Sequence, residues 1–343
     1  MVYKSIVTVF ITMLFSGCVI NNPVKEHVDD KSYRLLTKIQ AFDKYYGGAV
    51  GYAGTVPREW KTFQKYRESL TECEVEFIVN NYFGIVKMYT YQAGVINGYS
   101  TVDKLLQVHK DDRTAVSAFI GCLIMPVTVG DFIVNIRTYP PETSGLNPLS
   151  AEDINQINRS ILLSGNRASQ SRSFLLITYR DKLNEEENEL LRDQFDDGDF
   201  KTVIQIAKAQ NKRDLQRIKS VLKIDSIKYH GLLAVSYYPD QVFREEVYDQ
   251  YENVFQKNGG YDYSMIRSLY HAYVNYLDDE QIIKAIERIN GIKDDFKRNL
   301  HKENMFQSLM MSNLKEKNKF IKMLDFNDEF GEAQDYIERK IKI

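Results

Sequence analysis

Two stretches in the C-terminal half constrain the fold more than any other feature, because they repeat. Ala234-Val-Ser-Tyr-Tyr-Pro-Asp240 is followed, 39 residues on, by Tyr273-Val-Asn-Tyr-Leu-Asp-Asp279. Val235 matches Val274, Tyr237 matches Tyr276 and Asp240 matches Asp279. Ile206 to Asp214 is a looser third copy. Each unit reads as an apolar helix, a tight turn with Pro or Asp, and a second helix. Asp suits the turn because its carboxylate can accept from the open amides of the next helix. A lone helix pair cannot bury its apolar face, whereas stacked pairs can. The expected fold class is therefore all-α.

The rest of the chain supports helices with local signals. Tyr33, Leu36, Ile39 and Phe42 share one helical face. Pro57 and Glu59 mark a helix start. Cys73 to Val95 reads as two short helices broken near Asn80-Asn81, and Ser100 to Asp103 as a cap for the next. A further helix is expected from Asp112, carrying Ala115, Ala118, Phe119 and Cys122. Residues 126–137 are read as helix too, although Val127, Val129, Ile133, Val134 and Ile136 also suit strands. Pro140, Pro141, Gly145 and Pro148 make 138–149 the expected linker, and Ser150 with Asp153 caps the helix after it. This gives an N-terminal helical region at 31–137 and C-terminal helical repeats at 150–343. The arrangement and period resemble HEAT repeats of roughly 40–47 residues. That resemblance implies a HEAT-like α-solenoid of stacked helix pairs; the other reading is a generic helical domain in which two similar turns arose by chance.

The first residues carry an address. Lys4 precedes the apolar run Ile6 to Phe15, and Ser16-Gly17-Cys18 comes directly after it. A cation, a short apolar stretch and small residues form a secretory signal. With a cysteine closing it, the segment resembles the bacterial lipoprotein signal, or lipobox, although Phe15 stands where Leu is usual. The resemblance implies a signal peptide at 1–17, cleavage before Cys18, a diacylglycerol on the Cys18 sulfur and acylation of the new amino group. Residues 18–30 would be the lipidated tether. The apolar run is too short for a span, which needs about 20 residues, while several acyl chains anchor a protein stably. Val19 is not the Asp that the resemblance associates with inner-membrane retention. The expected location is the cell envelope, lipid-anchored, at the outer membrane if the host has one.

Removal of residues 1–17 takes away only Lys4, leaving 44 basic against 47 acidic side chains. Such a balance gives no general attraction to nucleic acid or anionic lipid. Cys73 and Cys122 could be bridged in an oxidising envelope or could be two separate buried thiols. The apolar run Ala118 to Ile124 favours the second reading. No histidine falls in a metal-binding motif. Gly47 to Gly54 lacks the Gly-Lys-Ser/Thr ending of a phosphate loop and reads as a helix breaker. Asp193 to Asp199 lacks calcium-loop oxygens at Phe195 and Ile204. Neither a catalytic residue nor a cofactor or metal site is assigned. Tyr237, Tyr238, Tyr248, Tyr251, Tyr273 and Tyr276 form the candidate partner surface, since Tyr joins apolar area to a polar tip. The expected function is a non-catalytic, membrane-tethered scaffold for an envelope protein. The alternatives are an immunity- or inhibitor-type lipoprotein, and a cell-wall or glycan enzyme with dispersed carboxylates.

Overall fold

The computed structural model describes residues 26–324 apart from positions 52 and 313. The signal peptide, Cys18, most of the tether and the chain beyond residue 324 lie outside the described residues. The described chain is mostly helical, with one small three-stranded sheet. It divides into two compact units between Arg172 and Ser173.

The N-terminal unit contains helices α1 (Asp30–Gln40), α2 (Arg58–Ser69), α3 (Glu72–Asn81), α4 (Gly84–Asn97), α5 (Thr101–His109), α6 (Val129–Thr138) and α7 (Ala151–Leu163), and strands β1 (Tyr45–Val50), β2 (Ala115–Gly121) and β3 (Leu123–Thr128). Helix α4 is its axis. Every residue from Val86 to Val95 is buried, and α1, α2, α3, α5, α6, β1 and β2 all pack on it. Its polar groups are paired: Thr90 Oγ1 with Tyr66 Oη at 2.8 Å, Gln92 Oε1 with Tyr45 Oη at 3.0 Å, and Lys87 Nζ with Asp112 at 2.9 Å. Gly94 lets α3 and α5 close in, since a Cβ there would lie within 2.9 Å of Val75 and Val102. The expected Ser100 cap is not used; Glu72 of α3 accepts from Thr101 N and Ser100 Oγ at 2.8 Å instead.

The sheet corrects the all-helical reading of this unit. Residues 115–121 and 123–128 form a hairpin, and helix resumes only at Val129. Strand β1 pairs in parallel with β2, and β2 antiparallel with β3. The two-residue turn has Gly121 at φ 57° followed by Cys122 at negative φ, the pattern of a II′ hairpin turn. The glycine-rich segment is strand before it is turn: Gly48 faces the Trp60 ring, where a Cβ would sit at 3.2 Å, and Gly51 and Gly54 take the positive φ. Cys122 is consequently exposed at the hairpin tip rather than in the core. Cys73 is exposed too, and both thiols are free.

Residues 139–150 form neither helix nor strand. They cross the end of α4, where Ser144 Oγ donates to Val95 O at 2.7 Å and Gly145 N to Ile96 O at 3.2 Å. The break between units lies later, beyond a clasp built on Asp131. Its carboxylate accepts from Thr128 Oγ1, Ser169 Oγ, Gln170 N and Ser171 N at 2.7–3.1 Å. Burial raises the Asp131 pKa, but these hydrogen bonds, led by Ser169 and Thr128, outweigh it and hold the group below its ordinary value. The helix α8 (Gln170–Thr178) carries the division.

The C-terminal unit, among its described residues, is helical throughout: α9 (Glu185–Asp196), α10 (Val203–Lys208), α11 (Leu215–Leu222), α12 (Lys228–Tyr237), α13 (Arg244–Gln256), α14 (Tyr263–Tyr273), α15 (Asp279–Asn290), α16 (Asp295–Met311) and α17 (Lys317–Met323). Alternate helices pack in a row, α10 on α12, α12 on α14 and α14 on α16. The intervening α9, α11, α13 and α15 pack on the next member of that row. Each of these four is entered through an Asn or Asp whose side chain accepts from a main-chain amide. Asn184 and Asp278 cap α9 and α15 directly, while Asn211 and Asp240 cap the 3₁₀ turns Lys212–Asp214 and Gln241–Phe243 that lead into α11 and α13. Asp278, not Asp279, is therefore the cap that corresponds to Asp240.

Candidate binding edge on the C-terminal unit

The carbonyls at the end of a helix have no donors within it and need partners from elsewhere. In this unit several come from side chains of a later helix or turn. Gln205 Nε2 donates to Leu175 O, Leu176 O and Tyr179 O at 2.9–3.2 Å, closing the end of α8. Lys208 Nζ also donates to Tyr179 O, the placement that a helix C-terminus favours for a cation. Gln210 Nε2 donates to Tyr237 O at 2.9 Å. Asn275 Nδ2 donates to Ser236 O at 3.3 Å, and Tyr276 Oη to Asp240 O at 2.8 Å. The turns after α8, α10, α12 and α14 are thus tied one to the next along a single edge.

A cleft of about 720 Å³ opens at the α8 end of this edge, with Arg180, Lys182, Glu185, Gln205, Lys208 and Gln210 in its wall. Lys208 lies 4.7 Å from the centre of the Tyr237 ring. Burial, reinforced by the charge of Arg180, lowers the Lys208 pKa to about 8. Gln210 holds φ 51°, the left-handed region that a non-glycine residue rarely occupies. Its bond to Tyr237 O fixes that conformation at the rim.

The six tyrosines expected at a partner surface separate into two groups. Tyr251, Tyr273 and Tyr276 are buried and serve packing. Tyr251 and Tyr273 stack at 3.9 Å and 8°, with Tyr248 edge-on to Tyr273 at 5.2 Å. Burial pushes the Tyr251 hydroxyl up to about 12 and raises those of Tyr273 and Tyr276 as well. Aromatic area at helical spacing was drawn into the interface of α13 and α14. Tyr237, Tyr238 and Tyr248 are half-buried, and Tyr237 meets two residues of the cleft wall, Lys208 through its ring and Gln210 through its carbonyl. Sequence reading missed Arg180, Lys182, Lys208 and Gln210. The only local signal was a polar run after a short apolar helix, which most turns share.

A second cavity, of about 400 Å³, lies in the N-terminal unit with Asp103 and Asp153 in its wall. Asp103 is engaged by Arg137 through Nε at 2.5 Å and Nη2 at 3.2 Å, and Asp153 closes the capping box of α7 with Ser150. Among the described residues no three His, Cys, Asp or Glu side chains converge as metal ligands. His230, His271 and His301 are held at about 4 by burial, and His271 and His301 meet Ser308 and Tyr270. No helix among the described residues is long and apolar enough to cross a membrane. The chain matches no protein-family model, no curated protein and no solved structure.

Proposed function

We propose that this chain is a lipid-anchored scaffold of the cell envelope whose C-terminal unit is a HEAT-like α-solenoid that binds another protein. The observation that carries the reading is the tied edge: four alternate helix ends, cross-linked by side-chain bonds to main-chain carbonyls, run into one polar cleft. Stacked helix pairs give extended surfaces suited to protein partners, and the cleft adds a polar wall in which Arg180, Lys182 and Lys208 stand beside Asp181 and Glu185. Cys18 would carry the acyl chains, and membrane contact would come through them. The partner would be an envelope protein that covers the cleft and the rim at Tyr237 and Tyr238.

Photo-crosslinking in intact cells tests this reading. A photoreactive residue at Lys182 or Tyr238 is expected to yield one discrete adduct that disappears in the Lys208→Glu variant. Absence of an adduct at both positions would end the scaffold reading. Fatty-acid labelling, with and without Cys18→Ala, tests the anchor independently.

A further inference from the structure

The β2–β3 hairpin ends in Ile120-Gly-Cys-Leu-Ile124, and Ile120, Leu123 and Ile124 are 44, 61 and 61 % exposed. A surface run of this kind marks a contact or an aggregation hazard. The tip is braced: Gly51 N donates to Gly121 O at 2.7 Å, and Val50 stands in register with Gly121. It is poorly suited to strand addition. Pro126 has no N–H, and its carbonyl already accepts from Gln170 Nε2 at 3.1 Å. Main-chain groups alternate sides along a strand, so the outer edge of β3 is left with little beyond the Ile124 amide and carbonyl. What the tip offers is aliphatic side chains.

The tether identifies what could receive them. The described unit begins at Glu26, eight residues beyond Cys18, and eight extended residues reach at most about 28 Å. A body tied that closely to acyl chains has the bilayer as its nearest apolar phase. We propose that the tip of the β2–β3 hairpin enters the headgroup–acyl boundary of the membrane as a second contact beside the anchor. This rests on the lipid-tether reading of Cys18. Interfacial segments seat their apolar faces roughly 5–10 Å into that boundary, a depth that short aliphatic side chains on a hairpin tip can sample.

The test uses the full mature, lipidated chain in phosphatidylethanolamine–phosphatidylglycerol vesicles. The thiol at Cys122 is labelled with an environment-sensitive dye in the Cys73→Ser variant, and that at Cys73 in the Cys122→Ser variant. On vesicles the Cys122 dye should shift to shorter wavelength and be quenched by nitroxides placed high on the acyl chains. The Cys73 dye should do neither, and adding Leu123→Lys and Ile124→Lys should abolish the response at Cys122. A Cys122 dye that stays in water on vesicles overturns the proposal. A Cys122 dye already shielded before vesicles are added overturns it too, since the tip is then covered by this chain or a second copy. Fatty-acid incorporation is read on the same preparation: if Cys18 is unlabelled, the tether reading fails, whereas labelled Cys18 with a water-exposed Cys122 removes the hairpin proposal alone.

Discussion

In the N-terminal unit one helix, α4, is wrapped on all sides, and the sheet that helps to wrap it pairs Tyr45 with Ala118. In the C-terminal unit the buried helices form a row, and each is covered by neighbours close in sequence. The first arrangement needs distant segments to meet before its core is complete. The second is assembled from local pieces that share the same turn chemistry. The contrast implies different sensitivities: the C-terminal unit should respond to loss of a lock between consecutive helices, and the N-terminal unit to anything that crowds its axis.

The largest effect expected is at the buried lock of the C-terminal unit. Arg192 and Asp214 are 2 and 0 % exposed and pair bidentately, Nε to Oδ1 at 2.9 Å and Nη2 to Oδ2 at 2.8 Å. Glu185 and Glu189 take the remaining Arg192 nitrogen, while Arg217 joins Asp214 to Asp196. Asp214→Ala leaves the buried guanidinium with only the exposed Glu185 and Glu189 on one nitrogen, and breaking a buried pair costs up to about 3–5 kcal/mol. Denaturant unfolding followed by segment-resolved hydrogen exchange should show the loss from α9 to α12, with protection in α4 unchanged. Equal loss in both units would show that their stabilities are not separable.

Acid should separate the units next. His230, His271 and His301 sit in the C-terminal unit at about 4, below the ordinary 6.5, because burial opposes their charging. In the unfolded chain they bind protons as the pH falls through 6.5, while in the folded chain they do not until about 4. Their contribution is therefore complete above 6.5 and declines as the pH drops to 4. The N-terminal unit has one half-buried counterpart, His109, lowered by burial and by Lys87. Its Asp131 clasp weakens only below the ordinary carboxylate value of 3.8. Amide protection should thus decline in the C-terminal unit before the N-terminal unit between pH 6.5 and 4; the reverse order would contradict these assignments.

How much of this was legible tracks the same divide. The C-terminal turns were readable because their signals are local: Asp240 caps within two residues, and the 39-residue offset reappears physically as the bond from Asn275 to Ser236. The pairing of Arg192 with Asp214 was not readable, because the burial that gives it weight is absent from the sequence. In the N-terminal unit Val116, Ile120, Ile124 and Val127 fit strand or helix alike, and only pairing with β1 decides between them. The rim of the cleft was missed for a related reason. Lys208 and Gln210 matter through the turns they reach, and reach across a stack leaves no periodic trace.

Crowding a helix packed on the N-terminal axis should have a smaller effect than either. A Cβ on Gly130 would stand 2.3 Å from Lys110 O and 2.9 Å from Asp112 N, both main chain. Gly130→Ala must push the start of α6 off the loop before β2, at about 1–3 kcal/mol for overpacking. The loss should appear as reduced amide protection in α4 and β2, sparing α12 and α14.

The smallest effect concerns the tied edge, and it distinguishes a stack held by packing from one held by its turns. Tyr276→Phe keeps the ring and removes only the hydroxyl that donates to Asp240 O at 2.8 Å. A single intramolecular hydrogen bond contributes about 0.5–1.5 kcal/mol net. The ring is buried and Phe fills the same space, so the change isolates the tie. Asp240 also caps the next turn through Val242 N at 3.0 Å. Releasing its carbonyl should loosen the α12–α13 connection first, seen as faster exchange at Val242 and Phe243 with little change in the α12 core. If exchange there is unaltered, the cross-turn bonds decorate the edge, and the stack owes its alignment to packing along α10, α12, α14 and α16 alone.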